Sequence, residues 1–108
     1  MDFNTFTALA EPNRFQIIEL LLKGPRPVNE ISRLLKFDQP KTSKHLRILA
    51  DAGVVEVKPM AQKRVYALSP KPFKDINQWI ESYRQIWENN FDRLDTLLEG
   101  MQEAHDQK

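Results

Sequence analysis

The residues with chemistry to offer concentrate in one stretch, DQPKTSKHLRIL from Asp38 to Leu49, where three cations and a histidine share a segment patterned as a short helix. Lysine and arginine at that density suit phosphate neutralisation with release of counterions, and the glutamine, serine and histidine beside them can reach base edges. A second basic group, Gln62, Lys63 and Arg64, follows a few residues later. Enzyme chemistry finds no comparable footing. The three glycines stand alone at Gly24, Gly53 and Gly100, so there is no glycine-rich phosphate loop. No histidine is paired with a nucleophile, and no two carboxylates share an apolar setting.

The formal net charge of +1 conceals an asymmetry. Between Lys23 and Arg64 ten Lys or Arg face four acidic residues, a local charge of +6 that leaves the rest of the chain at −5. Such a block points to an anionic partner for the basic part, with double-stranded DNA the first candidate and solvated surface lysines the plain alternative. The chain has no cysteine, hence neither disulfides nor thiolate metal ligands, and its 41% hydrophobic and 29% charged content is that of an ordinary globular protein. With no basic leader before a long apolar run and no apolar window of membrane-spanning length, the expected location is cytoplasmic, with no membrane partner. A chain of 108 residues is one small domain, near the size at which a partner subunit helps to cover the core.

The elements that must position the basic residues are punctuated by proline and glycine. Pro12 can open a helix whose Phe15, Ile18 and Leu22, with Leu21 beside them, recur at helical spacing until Lys23-Gly24-Pro25 stops it, after a short helical turn around Phe3 to Leu9. Pro27 opens VNEISRLL, with Val28, Ile31, Leu34 and Leu35 expected on one apolar face. Lys36-Phe37-Asp38 then turns the chain. Asp38 can cap the next helix, Pro40 is tolerated in its first turn, and Thr42, Leu46 and Leu49 face inward, so that Lys41, Lys44, Arg47 and Ile48 point out; Gly53 ends it. The period then changes. Val54 to Pro59 and Arg64 to Ser69 read as two strands joined by a turn at Met60 to Lys63.

Two short helices at a tight turn followed by a hairpin give the expected fold class: mainly α with a two-stranded β wing, a winged helix-turn-helix with a long C-terminal dimerisation helix. In that arrangement the second helix, about 39–52, enters the major groove and the wing, about 54–68, reaches flanking backbone. Within a single domain of 1–108, the core is 11–69, and 1–10 and 70–104 are dimerisation helices. Lys44, Arg47, Lys63 and Arg64 are expected on phosphate, and Gln39, Lys41, Ser43 and His45 at base edges, with Gln62 at the wing tip. Spacing does not decide which residues of the helix read bases.

The last third, from Lys71 to Met101, carries apolar residues in steps of three or four and reads as one helix of about 45 Å. A second line, Trp79, Ile86 and Leu97, widens the apolar face beyond what one small domain covers. The expected homodimer interface is Phe3, Phe6, Leu9, Trp79, Tyr83, Ile86, Trp87, Phe91, Leu94 and Leu98, although aromatic residues at helical spacing also serve as plain core, the reading preferred for Phe73 and Ile76.

LAEPNRFQIIELL, the stretch VNEISRLLKFDQPKTSKHLRILADAGVVEV and the hairpin ending RVYALSP resemble the winged-helix core of the ArsR family of bacterial transcriptional repressors. The resemblance implies a homodimeric repressor at a roughly palindromic operator, with Gln39 to His45, Thr42 included, as the base-contacting half of the helix. Pro27 departs from the Ser or Thr that the family usually places at the start of the preceding helix. Members that sense metals hold them on cysteines before the recognition helix, or on His and acidic ligands of the last helix. Here the first place reads RPVNE, and the last helix offers scattered carboxylates and one histidine, His105, so no metal and no cofactor are expected. WIESYRQIWE, Trp79 to Glu88, resembles the subgroup without metal sites, whose members are autorepressors or are encoded beside a START-like small-ligand-binding protein. Two alternatives stay open: a winged-helix interaction module without DNA binding, and a repressor released by a small apolar ligand held near Trp79, Tyr83 and Trp87. The effector and the operator sequence are not legible.

Overall fold

The computed structural model describes the backbone of residues 3–106 and their side chains other than those of 90–92 and 101–106. Eight elements follow in order: α1 (Phe3–Leu9), α2 (Pro12–Leu21), β1 (Arg26–Pro27), α3 (Val28–Leu35), α4 (Gln39–Asp51), β2 (Val55–Met60), β3 (Lys63–Leu68) and α5 (Pro70–Asp106). The chain forms two units, Met1–Asp75 and Ile76–Lys108.

In the first unit, the helices start where side chains or prolines relieve the unpaired amides of a first turn. Asp38 caps α4 by accepting the Lys41 amide at 2.7 Å, with Pro40 just inside. Glu11, an uncommon capping residue, accepts the Arg14 amide at 2.9 Å ahead of α2. Pro27 precedes α3 and makes no side-chain cap; Glu30, in the first turn, instead accepts Arg26 Nη1 at 2.7 Å. α4 ends as its glycine promised: Gly53 takes φ +76°, its amide donates to Ala50 and the Val54 amide to Leu49, the paired bonds of a left-handed helix stop. Val54 is thereby driven into the core.

The same kind of stop closes α3 without a glycine. Lys36 sits at φ 59°, ψ 39°, and the Phe37 amide donates to Ser32. A side chain in this conformation costs roughly 1–2 kcal/mol, so Lys36→Gly is expected to stabilise the protein by about 0.5–1 kcal/mol after the greater chain entropy of glycine is discounted. A denaturant melt with an unchanged slope and a higher midpoint would verify it, and a lower midpoint would show that the Lys36 side chain holds the turn through contacts of its own.

The core is built from Ala8, Ile17, Ile18, Leu21, Ile31, Leu46, Leu49, Val54 and Val55, with Leu9, Val28, Leu35, Tyr66 and Phe73 packed around it. Two expected helix faces are corrected. On α2 the buried residues are Ile17, Ile18 and Leu21, while Phe15 is 54% and Leu22 71% exposed. Ile17 lies next to Ile18, so the inward stripe is rotated toward it and carries Phe15 out. On α3, Ile31 and Ser32 are buried and Val28 and Leu35 pack against the core, while Leu34, on the other side of the helix, is 43% exposed.

The hairpin is part of a three-stranded sheet in the order β1-β3-β2, all antiparallel. Strand β1, too short to show an alternation in the sequence, pairs Arg26 with Tyr66 and Pro27 with Val65. It ties the start of α3 to the wing. The last pair of the hairpin joins Met60 to Lys63, which leaves Ala61 and Gln62 as a two-residue loop with Ala61 at φ 57°.

The second unit is the continuation of α5. Its described large apolar side chains from Trp79 to Leu98 are substantially exposed. Trp79 and Tyr83 meet edge to face with ring centroids 5.3 Å apart, and Arg84 bonds Glu88 at 3.0 Å and Glu81 at 3.2 Å, which raises its already high pKa. Among the described residues no helix is long and apolar enough to cross a membrane.

Candidate nucleic-acid interface

Helix α4 is anchored on one side and free on the other. Thr42, Leu46 and Leu49 are each 0% exposed, while Gln39, Ser43, Lys44 and Arg47 are all exposed. The anchors fall at steps of four and three, which puts them on one stripe and turns the polar set outward as a consequence of the helix period. At the hairpin end Gln62, Lys63 and Arg64 are exposed as well.

Four residues of the expected set behave differently. Thr42 is buried and its hydroxyl donates to the Asp38 carbonyl at 2.9 Å, so it is a core residue and leaves the contact surface. Lys41 is half-buried, with Nζ 4.6 Å from the centre of the Phe37 ring, a cation–π contact that holds the ammonium against the turn. Ile48, expected to point out, is half-buried; with Asn4, Thr7, Ala8, Arg14 and Asp51 it lines a groove between α1, α2 and α4. His45 is only 12% exposed at its side chain.

The neighbours of His45 come from the start of α2. Its Nδ1 lies 3.4 Å from Arg14 Nη1 and 3.8 Å from Glu11 Oε2. Arg14 also donates through Nε to the Ala8 carbonyl at 2.7 Å, and Glu11 Oε1 accepts Asn13 Nδ2 at 2.8 Å. Desolvation pushes the His45 pKa below 6.5; Glu11 opposes this, and the cations of Arg14, Lys41 and Lys44 add to it. For Glu11, desolvation acts upward but is outweighed by the Arg14 amide bond, His45, Asn13 and the Arg14 guanidinium, so its carboxyl lies below 4.5. The sequence showed Glu11 and Arg14 only as a helix start. Nothing in local spacing pairs position 14 with position 45; the one available signal was a histidine placed beside the inward stripe Thr42, Leu46 and Leu49.

Of the expected interface on the terminal elements, Phe3 is exposed, Phe6 is half-buried, and Leu9 is partly buried against the core of its own chain. Trp79, Tyr83, Ile86, Trp87, Leu94 and Leu98 are exposed. Phe91, like Met101 and His105, lies outside the described side chains.

A helix pair with a tight turn, an outward polar and basic second helix and a basic hairpin define a winged helix-turn-helix regulator of transcription that binds DNA. The sequence profile described as bacterial regulatory protein, arsR family, matches residues 11–57, which hold the capped α2, the turn and the whole of α4. The chain belongs to the arsR family. It is 41% identical over 63 residues to the HTH-type transcriptional regulator Rv2034 of Mycobacterium tuberculosis, a match covering 58% of this chain and 59% of that protein. To the transcriptional repressor SdpR of Bacillus subtilis it is 28% identical over 87 residues, covering 81% of this chain and 97% of SdpR. Among solved structures, the crystal structure of an ArsR family transcriptional regulator superposes with a TM-score of 0.69 at 28% identity, over 79% of this chain and 93% of the other.

Proposed function

We propose that the protein is a homodimeric repressor that occupies a roughly palindromic promoter operator in the cytoplasm and thereby excludes polymerase. The observation that carries this reading is the two-sidedness of α4: three fully buried anchors fix the helix, and four exposed residues capable of hydrogen bonds or charge pairing stand opposite them. Lys44 and Arg47 with the wing residues Lys63 and Arg64 take phosphate, and Gln39 and Ser43 stand toward base edges. Dimerisation is supported by α5, whose exposed Trp79, Tyr83, Ile86, Trp87, Leu94 and Leu98 form more apolar surface than a monomer usually leaves wet. A two-fold interface there sets two recognition helices for half-sites about one DNA turn apart.

The test is fluorescence anisotropy on the duplex upstream of the protein's own gene and on a scrambled duplex of equal length, at two salt concentrations. A preference of about 10³ or more for the upstream duplex, with affinity falling steeply as salt rises, is expected for an autoregulatory repressor. Equal weak binding would move the operator elsewhere in the genome. Absence of binding to either duplex at low salt would overturn the reading in favour of a winged-helix interaction module.

A further inference from the structure

Resting on the DNA-binding reading, we infer that Glu11, Arg14 and His45 form a proton-operated latch behind the recognition helix, by which the protein takes up a proton at His45 when it binds DNA. A guanidinium can only donate, so in the neutral ring Nδ1 must accept from Arg14 Nη1 and the ring proton sits on Nε2. Protonation turns Nδ1 into a donor. It then repels Arg14 and is drawn to Glu11 Oε2, now 3.8 Å away, which is the same oxygen that accepts the Arg14 amide and caps α2. One proton therefore exchanges the partner of His45 within a single cluster, at the point where α4 rests on the start of α2, and adds a positive charge to the helix that carries Lys41, Lys44 and Arg47.

Burial of the ring sets the direction, and the charged groups around it act both ways. Arg14 from α2 and Lys41 and Lys44 from its own helix disfavour the imidazolium, and Glu11 favours it. α1 carries no charged side chain, and its Ala8 carbonyl accepts from Arg14 Nε. In the free protein desolvation, with the cations beside it, prevails over Glu11 and holds the His45 pKa below 6.5, so the neutral ring predominates at pH 7. DNA phosphates drawn to Lys44 bring negative charge beside those cations and raise the His45 pKa in the complex. Affinity should therefore increase as pH falls through the bound pKa and level off below the free one, with a limiting slope of about tenfold per pH unit for each protomer. Folding of the free protein has the opposite sign. Its His45 pKa lies below the unfolded value of 6.5, so stability is lost as pH falls from about 6.5 toward the folded value.

The test uses a mixed-sequence duplex of about 30 base pairs at low salt, where phosphate contacts supply the binding, with anisotropy read from pH 5.5 to pH 8 for the wild type, His45→Gln and Glu11→Gln. Wild-type affinity should rise on acidification, His45→Gln should show no comparable slope, and Glu11→Gln should move the window to lower pH, a displacement that loss of a helix cap alone would not produce. An NMR titration of the His45 ring, which needs no variant, should give an Nε2–H neutral tautomer and a higher pKa with DNA than without. A wild-type affinity independent of pH, a slope that survives in His45→Gln, or an Nδ1–H tautomer would each overturn the latch while leaving the DNA-binding reading intact. No binding at any pH would overturn that reading, and the latch with it.

Discussion

Lys44→Glu is expected to weaken operator binding on the order of 10²-fold near 0.1 M salt. The side chain is exposed on the outward face of α4, and no cap, core contact or described ion pair depends on it. The fold should therefore be untouched. In water a unit charge about 4 Å from a phosphate is worth roughly 1 kcal/mol, and reversal turns that attraction into a repulsion, a change of about 2 kcal/mol per protomer before screening. Two protomers on one operator double it. Removing one neutralised phosphate per protomer should also flatten the plot of log affinity against log salt by about 2. Anisotropy titrations at several salt concentrations measure both quantities, with circular dichroism to establish that the variant is folded. A folded variant with wild-type affinity and salt slope would remove α4 from the contact surface.

Leu46→Ala is the largest expected effect on stability. Leu46 is fully buried in the cluster that joins α2, α3 and α4, and truncating a buried leucine costs roughly 2–5 kcal/mol, transfer and cavity terms together. Domains of this size hold only about 5–15 kcal/mol in all. The midpoint of thermal unfolding should drop by at least about 8 °C, since 1 kcal/mol moves it by roughly 4–8 °C in domains of 60–100 residues. Leu34→Ala, one helix earlier and exposed, provides the contrast, with an expected change of less than about 1 kcal/mol. Equal losses at the two positions would mean that α3 and α4 pack differently from the arrangement described.

The Leu46 anchor also bears on function. Thr42, Leu46 and Leu49 are the residues that hold Ser43, Lys44 and Arg47 in register on the opposite side of the helix. Softening them should lower DNA affinity at temperatures near the lowered midpoint even though no contact residue is changed. Distance from the basic face is no protection, because the rotation of a helix is set by its buried stripe.

Sequence alone was sufficient wherever the determining interactions are local. Asp38 caps α4 through an amide three residues on, Pro12 and Pro40 occupy first turns, and Gly53 supplies the left-handed residue that a helix stop needs. These depend on neighbours along the chain, and the change of period after Gly53 marks the wing in the same way. The outward placement of Gln39, Ser43, Lys44 and Arg47 followed from the 3.6-residue period once Leu46 and Leu49 were taken as core. Tertiary structure decided what depends on partners distant in the chain. Whether Phe15 or Ile17 faces inward is set by where α3 and α4 press on α2, and both choices satisfy a helical period. Strand β1 exists because β3 offers it a free edge forty residues later. His45 lies under Glu11 and Arg14 because α4 crosses the start of α2, so a residue whose type suits base readout is held mostly out of solvent beside a carboxylate and a guanidinium. The period of a helix determines which residues share a face, but only packing determines what that face meets.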